Sequence, residues 1–237
     1  MPRRPPKKPD PAVDLSAHLL PLGGLPVPCD PATLFAGDAP LELEVGSGKG
    51  LFIAAAAAAR PDRNFLGVEI SAGYARLCAG RLAAGGAANA RIVHGDATFL
   101  VRSLLPDRCL AAVHVYFPDP WWKARHRKRR VLSEPFLTHV GRTLVSGGEL
   151  HVWTDVEEYF LEAMAAARAT GLFASPRDEQ AAEPRHDLDY RTHFERRTRL
   201  AGMPVWRAAL VRTDAAAGCA RVPPPLLQAT GPDANPA

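Results

Sequence analysis

The sequence lacks several features that define familiar protein classes. Only four cysteines occur among the 237 residues, and no two form the Cys-x-x-Cys pair typical of zinc sites and redox dithiols. No histidines and acids have the spacing of metal ligands, so we expect no bound metal. The longest uninterrupted apolar run, 51–59, is shorter than the roughly 20 residues that cross a bilayer. We therefore expect a reduced, cytoplasmic protein that does not insert into membranes.

Net charge is also small, at +4, but it is unevenly distributed along the chain. Residues 123–130 alone carry +6 and residues 1–10 carry +3, which leaves −5 for everything else. A protein that binds polyanions through diffuse basicity would spread its cations along the sequence. Concentrated positive charge instead favours a directed site for a polyanion such as a nucleic acid.

Short apolar runs alternate with longer helical patterns from residue 41 onwards. This alternation predicts an α/β fold with a Rossmann-like, mostly parallel twisted sheet and helices on both faces, in one domain over 41–212. Proline and basic residues over 1–40 predict a largely flexible N-terminal arm, and 213–237 predict a flexible C-terminal tail. The predicted strands are 41–46, 64–69, 91–94, 110–117 and 148–154, and the predicted helices are 50–60, 71–84, 97–105, 135–144 and 156–170.

A glycine-rich run, Glu44-Val-Gly-Ser-Gly-Lys-Gly, joins the first predicted strand to the first helix. Glycines such as Gly46 allow a tight turn and a close approach of the backbone to a ligand. Glu69 ends the second strand, where a carboxylate can accept both hydroxyls of a ribose, and Asp96 ends the third, where it can bind an adenine amino group. Because Glu44 places a negative charge at the loop, the site favours a cationic cofactor, S-adenosylmethionine, over the anionic NAD.

The segment 115–130 combines a strand, a carboxylate, two tryptophans and the basic run. Asp119 and the rings of Trp121 and Trp122 could hold a nucleobase, while the following cations neutralise its phosphates. Either tryptophan could equally be a core residue, and this choice stays open. A second arginine cluster surrounds Phe194 and is consistent with a loop that grips backbone phosphate, or with a solvated loop.

Taken together, these segments resemble the bacterial tRNA (guanine-N7)-methyltransferases of the TrmB type. The resemblance spans 41 to about 212. It implies a class I methyltransferase fold and an enzyme that methylates the variable-loop guanine at tRNA position 46. The chain departs from the usual family pattern at Ser47, where phenylalanine is common, and at Thr198, where glycine is common. The motifs that carry the resemblance are Glu44-Val-Gly-Ser-Gly-Lys-Gly, Gly67-Val-Glu-Ile, His94-Gly-Asp-Ala, Phe117-Pro-Asp-Pro-Trp, Lys123-Ala-Arg-His-Arg-Lys-Arg-Arg and Thr192-His-Phe-Glu.

The resemblance also assigns roles by matching position. It implies that Asp119 lies at the catalytic centre. Because a carboxylate can accept the N1 and N2 hydrogens of guanine, we hypothesise that Asp155 or Glu195 reads the identity of the base. The residues expected to bind the methyl donor are Glu44, Gly46, Glu69, Asp96 and Asp119. The residues expected to face the guanosine are Lys123, Asp155, Thr192, His193, Phe194 and Glu195.

Three alternatives remain open on the residues alone. A methyltransferase of a DNA base or a small molecule would share the donor loop, but Asp119-Pro120-Trp121 lacks the second proline of an Asp-Pro-Pro-Trp-like motif. An NAD-dependent oxidoreductase is disfavoured by Glu44, and a non-catalytic RNA-binding protein by the presence of the whole acidic set. We expect tRNA to be the binding partner, and we expect the protein to act as a monomer that needs no protein partner.

Overall fold

The computed structural model of the protein describes residues 13–179 and 192–214. Strands and helices alternate through most of this span. The strands are β1 (Leu19–Pro21), β2 (Leu41–Val45), β3 (Asn64–Glu69), β4 (Ala90–His94), β5 (Leu110–Tyr116), β6 (Leu144–Thr154), β7 (Arg177–Asp178) and β8 (Trp206–Val211). The helices are α1 (Leu51–Ala59), α2 (Ala72–Ala84), α3 (Ala97–Phe99), α4 (Glu134–Thr143), α5 (Glu157–Ala169) and α6 (His193–Leu200).

The strands form one sheet in the order β1-β4-β3-β2-β5-β6-β8-β7. Pairings from β1 through β6 are parallel, whereas β8 runs antiparallel to both β6 and β7. The predicted mostly parallel sheet is therefore confirmed. Because parallel strands end at the same edge, the loops that follow β2, β3, β4, β5 and β6 all emerge together, where ligands bind in open α/β sheets.

Helices cover both faces of the sheet with separate apolar layers. Ile53 of α1 and Leu82 of α2 are fully buried in one layer, against the face that carries Phe65. Val140 of α4 and Tyr159 of α5 are buried in the other layer. Strands β2 and β3 are buried along their whole length, as expected for central strands of a sheet covered on both sides.

Part of the predicted N-terminal arm is folded onto the domain. β1 pairs in parallel with β4 at the edge of the sheet, and Leu25, Cys29 and Phe35 are buried in the core. The prediction of a largely flexible arm over 1–40 is therefore wrong for this stretch, because irregularly spaced apolar residues can be buried without any helical or strand period. Residues 1–12 of the predicted arm, and 215–237 of the predicted tail, lie outside the described residues.

Several predicted boundaries also shift. The helix expected over 97–105 is a short α3 followed by a π-helical turn at Leu100–Leu104. β6 begins at Leu144, four residues earlier than predicted, directly where α4 ends. β1, β7, β8 and α6 were not predicted. β1 and β7 have only three and two residues, and α6 is strongly charged. β8 is a six-residue, mostly apolar strand that sequence reasoning overlooked.

A buried ion pair joins the start of the sheet to α1. The Glu42 carboxylate is 2% exposed and contacts His114 Nε2 at 2.9 Å and Arg60 Nη1 at 2.8 Å. Burial alone would raise the pKa of Glu42, but the hydrogen bond and charge of His114, helped by Arg60, lower it to about 2. His114 is thus a buried residue with hydrogen-bond partners on both ring nitrogens.

No helix within 13–179 and 192–214 has the length and apolar character needed to span a membrane. Within the same ranges no three histidine, cysteine, aspartate or glutamate side chains are grouped so that they could hold a metal ion.

Candidate active site

The glycine-rich loop after β2 adopts backbone conformations that require glycine. Gly46, Gly48 and Gly50 all have positive φ, at 76°, 52° and 70°. A Cβ at Gly50 would lie 2.4 Å from Cys78 Sγ, so the loop also packs directly on α2. A Cβ at Gly46 would meet no atom within 4 Å, and Gly46 is exposed, so this side of the loop is open to a ligand.

Ser47, the residue that departs from the usual family pattern, is accommodated inside this loop. Its side chain is buried, and its Oγ would lie 2.4 Å from a Cβ at Gly67. The hydroxyl also donates to the Glu44 backbone carbonyl at 3.4 Å. Ser47 therefore packs tightly against β3 and does not open the loop.

Glu69 connects the two loops that flank the predicted donor site. Its Oε2 accepts from the Gly48 backbone N–H at 2.9 Å, and its Oε1 accepts from the Ser71 backbone N–H at 2.8 Å. The side chain is 8% exposed. A carboxylate has about four acceptor positions, so each oxygen keeps capacity for a further donor such as a ribose hydroxyl.

Glu44 is a buried acid without a full set of hydrogen bonds. It is 5% exposed, and its Oε2 has no hydrogen-bond partner among the described residues. Burial raises the pKa of Glu44 to about 8, a hydrogen bond from Ser47 opposes the shift, and the charge of Glu69 adds to it. Such an unpaired acid is suited to a cationic partner, because a positive charge would restore the ionised form.

Asp96 lies at the same sheet edge but two strands away from Glu44. It is exposed and caps α3, accepting from the Thr98 backbone N–H at 2.7 Å. Its position after β4 leaves the carboxylate at the far end of a site that begins at Glu44. If an adenine ring bound along this edge, Asp96 would be the acid farthest from Glu44.

The turn after β5 carries Asp119 on a strained backbone. Phe117 has φ +50°, uncommon for a bulky residue, and its N–H donates to the Trp153 carbonyl at 2.7 Å. Its ring stacks on the Phe194 ring of α6, with centroids 6.3 Å apart. Asp119 follows two residues later and is exposed, so its carboxylate is available at the sheet edge.

Helix α6 brings the Thr192 to Glu195 stretch to the same edge. Thr192 caps the helix by accepting from the Glu195 N–H at 2.9 Å, while the Glu195 carboxylate is 1% exposed and contacts Arg199 Nη1 at 3.2 Å. Thr198 Oγ1 reaches Asp155 Oδ2 at 3.5 Å, at the end of β6. Helix α6 is thus joined to the turn after β5 by the Phe194 ring and to the end of β6 by Thr198. His193 begins α6, but its side chain lies outside the described part of the chain.

The basic segment, defined as residues 123–130, forms a 3-10 helix over Ala124–Arg129 with Lys123 exposed at its N-cap. Trp121 is half-buried, with Arg129 over its ring at 5.0 Å, whereas Trp122 is 67% exposed. The two tryptophans therefore differ: Trp121 packs beside the segment, and Trp122 faces solvent.

Sequence reasoning missed two residues that shape this region. Phe117 joins the Asp119 turn to β6 and α6, and Arg130 is 7% exposed against Pro120 and α5. No local signal existed for Arg130, because the acids that it contacts belong to a helix some 30 residues further along the chain. Phe117 gave no usable signal, since a residue before proline is normally extended.

Solved structures with the same fold are methyltransferases. The 16S rRNA methyltransferase KamB aligns with a TM-score of 0.55 at 17% identity, over 73% of this chain and 88% of its own. A 16S rRNA (adenine(1408)-N(1))-methyltransferase variant from Catenulisporales acidiphilia, solved with its cosubstrate SAM, aligns with a TM-score of 0.54 at 19% identity, over 78% and 90%. This likeness shows that the chain has the class I methyltransferase fold, so the predicted fold class is confirmed.

Sequence comparison narrows this class. A family whose description reads "Putative methyltransferase" matches residues 38–208. The tRNA (guanine-N(7)-)-methyltransferase of Rhodopirellula baltica is 48% identical over 213 residues, covering 87% of this chain and 79% of that protein. The enzyme of the same name from Bordetella parapertussis is 42% identical over 182 residues, covering 76% and 70%. The chain belongs to the tRNA (guanine-N(7)-)-methyltransferase family, as its motifs predicted.

Proposed function

We propose that the protein transfers the methyl group of S-adenosylmethionine to N7 of the guanine at variable-loop position 46 of tRNA, as a cytoplasmic monomer. The observation that carries this proposal is the charge arrangement of one sheet edge. Buried acids lie at the carboxyl ends of β2 and β3, and a strongly basic segment follows the neighbouring β5. This edge can accept a cationic donor and an anionic acceptor side by side.

The residues at the donor side fit S-adenosylmethionine. Glu44 offers an unpaired buried oxygen to a positive charge, and Gly46 leaves open space beside it. Glu69 keeps free acceptor positions for ribose hydroxyls, and Asp96 is exposed where an adenine amino group would lie. When bound, the donor supplies an electrophilic methyl group, which guanine N7 accepts with its in-plane lone pair.

No general base is needed for this reaction, because N7 of guanine is unprotonated near neutral pH. The protein must instead hold the base in line and stabilise the positive charge that the base acquires. Exposed Asp119 and half-buried Asp155 are carboxylates suited to that task. We assign the catalytic role to Asp119, since its turn follows the strand next to β2 and therefore lies beside Glu44.

Recognition of guanine requires acceptors for its N1 and N2 hydrogens, a donor pattern that adenine lacks. Asp155 is accessible as it stands, with Thr198 as a neighbour. Glu195 can serve only when its contact with Arg199 opens, because its carboxylate is buried. We therefore assign the first reading of the base to Asp155, with Lys123, Thr192, His193 and Phe194 lining the guanosine side.

The test is methyl transfer from radiolabelled S-adenosylmethionine to unmodified tRNA, followed by mapping of 7-methylguanosine. We expect label at guanine 46, and none in a matched transcript that carries adenine at that position. Size-exclusion chromatography with light scattering during the assay checks the monomer. Label in bulk DNA, at another tRNA position, or in no nucleic acid would contradict the proposal and favour one of the alternatives named above.

A further inference from the structure

The six cations of the basic segment fall into two groups. Within 13–179 and 192–214, no carboxylate forms an ion pair with the first group, which we call the outward cations. The second group, which we call the inward cations, contacts acids of α5. The outward cations are Lys123, Arg125, Lys128 and Arg129, and the inward cations are Arg127 and Arg130.

Arg130 is buried, and its guanidinium is held by contacts with other protein groups. Its side chain is 5% exposed, its Nε donates to the Pro120 carbonyl at 2.7 Å, and its Nη1 binds Glu162 of α5. Its guanidinium also lies 4.8 Å from the ring centroid of Tyr159. A group held in this way cannot reach a phosphate without breaking a charge-assisted hydrogen bond and a cation–π contact.

Arg127 is more exposed but is similarly paired. Its Nη2 lies 2.6 Å from Glu158 Oε1 and its Nη1 lies 3.4 Å from Glu162 Oε1. The two acids are one helical turn apart on α5, so together they face both inward cations. Their negative charges offset the charge of Arg127 and Arg130, and the acids would repel any phosphate that approached these arginines.

These contacts join two parts of the candidate site. Arg130 binds the carbonyl of Pro120, the residue after Asp119, and Glu162 belongs to the helix that begins two residues after Asp155. In the proposed function, Asp119 and Asp155 are the two carboxylates that stabilise the positive charge developing on the guanine. The inward cations therefore lie where they can fix the separation of those carboxylates.

We propose that Arg127 and Arg130, with Glu158 and Glu162, are positioning residues, and that within the basic segment only the outward cations contact RNA phosphate. The inference rests on the proposed function, because it divides labour within that same site. The positioning residues orient the basic segment and hold the Asp119 turn against α5. The contribution of the basic segment to the salt dependence of tRNA affinity then comes from the outward cations alone.

The first test compares Arg127→Gln with Lys128→Gln, neighbouring substitutions that remove the same charge. For each variant, tRNA affinity is measured over a range of salt concentrations. Lys128→Gln should reduce the slope of log affinity against log salt by roughly 0.7 to 0.9, the value for one lost phosphate contact. Arg127→Gln should leave the slope unchanged, and an equal reduction in both variants would overturn the proposal.

A charge exchange provides the second test and does not depend on the slope. Arg127→Glu alone should lower the methylation rate constant about tenfold or more, since three acids then face one another. Adding Glu158→Arg recreates the pair in the opposite sense and should recover most of that rate. If the double variant is no more active than the single one, while thermal melting shows both folded, the positioning role is wrong.

The proposed function and the division of the cations into two groups can be disproved separately. Wild-type protein that transfers no methyl group to tRNA would remove the proposed function, whatever the variants do. Wild-type protein that methylates tRNA, with Arg127 and Lys128 equivalent in the salt titration, would remove only the division into inward and outward cations. Glu162→Gln adds a further check, because it should lower the rate constant for transfer while donor affinity, measured by calorimetry, stays constant.

Discussion

The donor side and the RNA side of this sheet edge hold charge in opposite ways. On the donor side Glu44 and Glu69 are almost fully buried and bound by backbone amides or left unpaired. On the RNA side Lys123 and Lys128 are exposed. Burial makes a charge specific for one small partner and insensitive to salt, whereas exposure allows many weak contacts that salt screens. A donor of fixed shape and a flexible polyanion call for these two solutions.

The largest expected effect falls where the two sides meet, at Asp119. Asp119→Ala should lower the rate constant for methyl transfer by about 10²- to 10³-fold, because the base would lose a carboxylate that opposes its new positive charge. Single-turnover assays with saturating tRNA and donor measure this step. Asp62→Ala, an exposed aspartate beyond α1 at the opposite edge of the sheet, is the control and should behave as wild type. Equal rates for both variants would remove Asp119 from the catalytic centre.

A second prediction concerns the buried side. Glu69→Gln replaces one acceptor oxygen with an NH₂ group that faces the backbone N–H of Gly48 or Ser71. One charge-assisted hydrogen bond is therefore lost, and two N–H groups face each other. We expect the affinity for S-adenosylmethionine to fall roughly 10- to 100-fold, because a charge-assisted hydrogen bond contributes about 1.5–3 kcal/mol. Calorimetry at low and at high salt should give the same loss. Asp38→Asn, in an exposed turn, is the control, and a loss that disappeared with salt would contradict the comparison.

On the exposed side, Lys128→Glu with Arg129→Glu should weaken tRNA binding on the order of tenfold near physiological salt, and by less as salt rises. Filter binding across a salt series measures the effect. Arg108→Glu with Arg168→Glu makes the same charge change at the opposite edge of the sheet and should alter affinity much less. If both pairs weaken binding equally, the protein attracts tRNA by overall charge and not through the basic segment.

The last prediction concerns stability and not binding or rate. The pKa of Glu44 is raised by burial from an ordinary value of 4.5 to about 8, so between these values the folded state holds more protons than the unfolded state. Its contribution is complete below pH 4.5 and is lost as pH rises through 8, at no more than about 1.4 kcal/mol per pH unit. Thermal melting of the ligand-free protein from pH 5 to 8 should therefore decline more steeply for wild type than for Glu44→Gln. Parallel profiles would show that Glu44 is already ionised.

Sequence patterns predicted the central fold because its strands are buried and its helices are long. β3 occupies the predicted range, and the acids that end β2, β3 and β4 lie at one edge as parallel pairing requires. β1 could not be predicted, since three residues ending in proline carry no period and are stabilised only by β4. α6 was hidden by its charge, because its helical stability depends on packing of Phe194 against Phe117.

The candidate site was predictable in composition but not in detail. Strand-end acids and a basic run can be read from residue order. The division of that run into inward and outward cations could not be predicted from residue order. Arg127 and Arg130 differ from Lys128 only through contacts with a helix some 30 residues further along the chain. Likewise, nothing local indicates that the Glu69 oxygens bind the amides of Gly48 and Ser71, since that contact forms only when two loops meet.

The ring pair of Phe117 and Phe194 has a consequence for how this enzyme can change during evolution. Phe117 precedes the acid turn, Phe194 belongs to the helix proposed to face the guanine, and their rings are nearly parallel with centroids 6.3 Å apart. A smaller ring at either position would leave a gap at the junction and let the two segments drift apart. Substitutions at 117 and 194 should therefore be inherited in pairs, so that covariation between these positions across relatives would report on the fit between catalytic turn and acceptor.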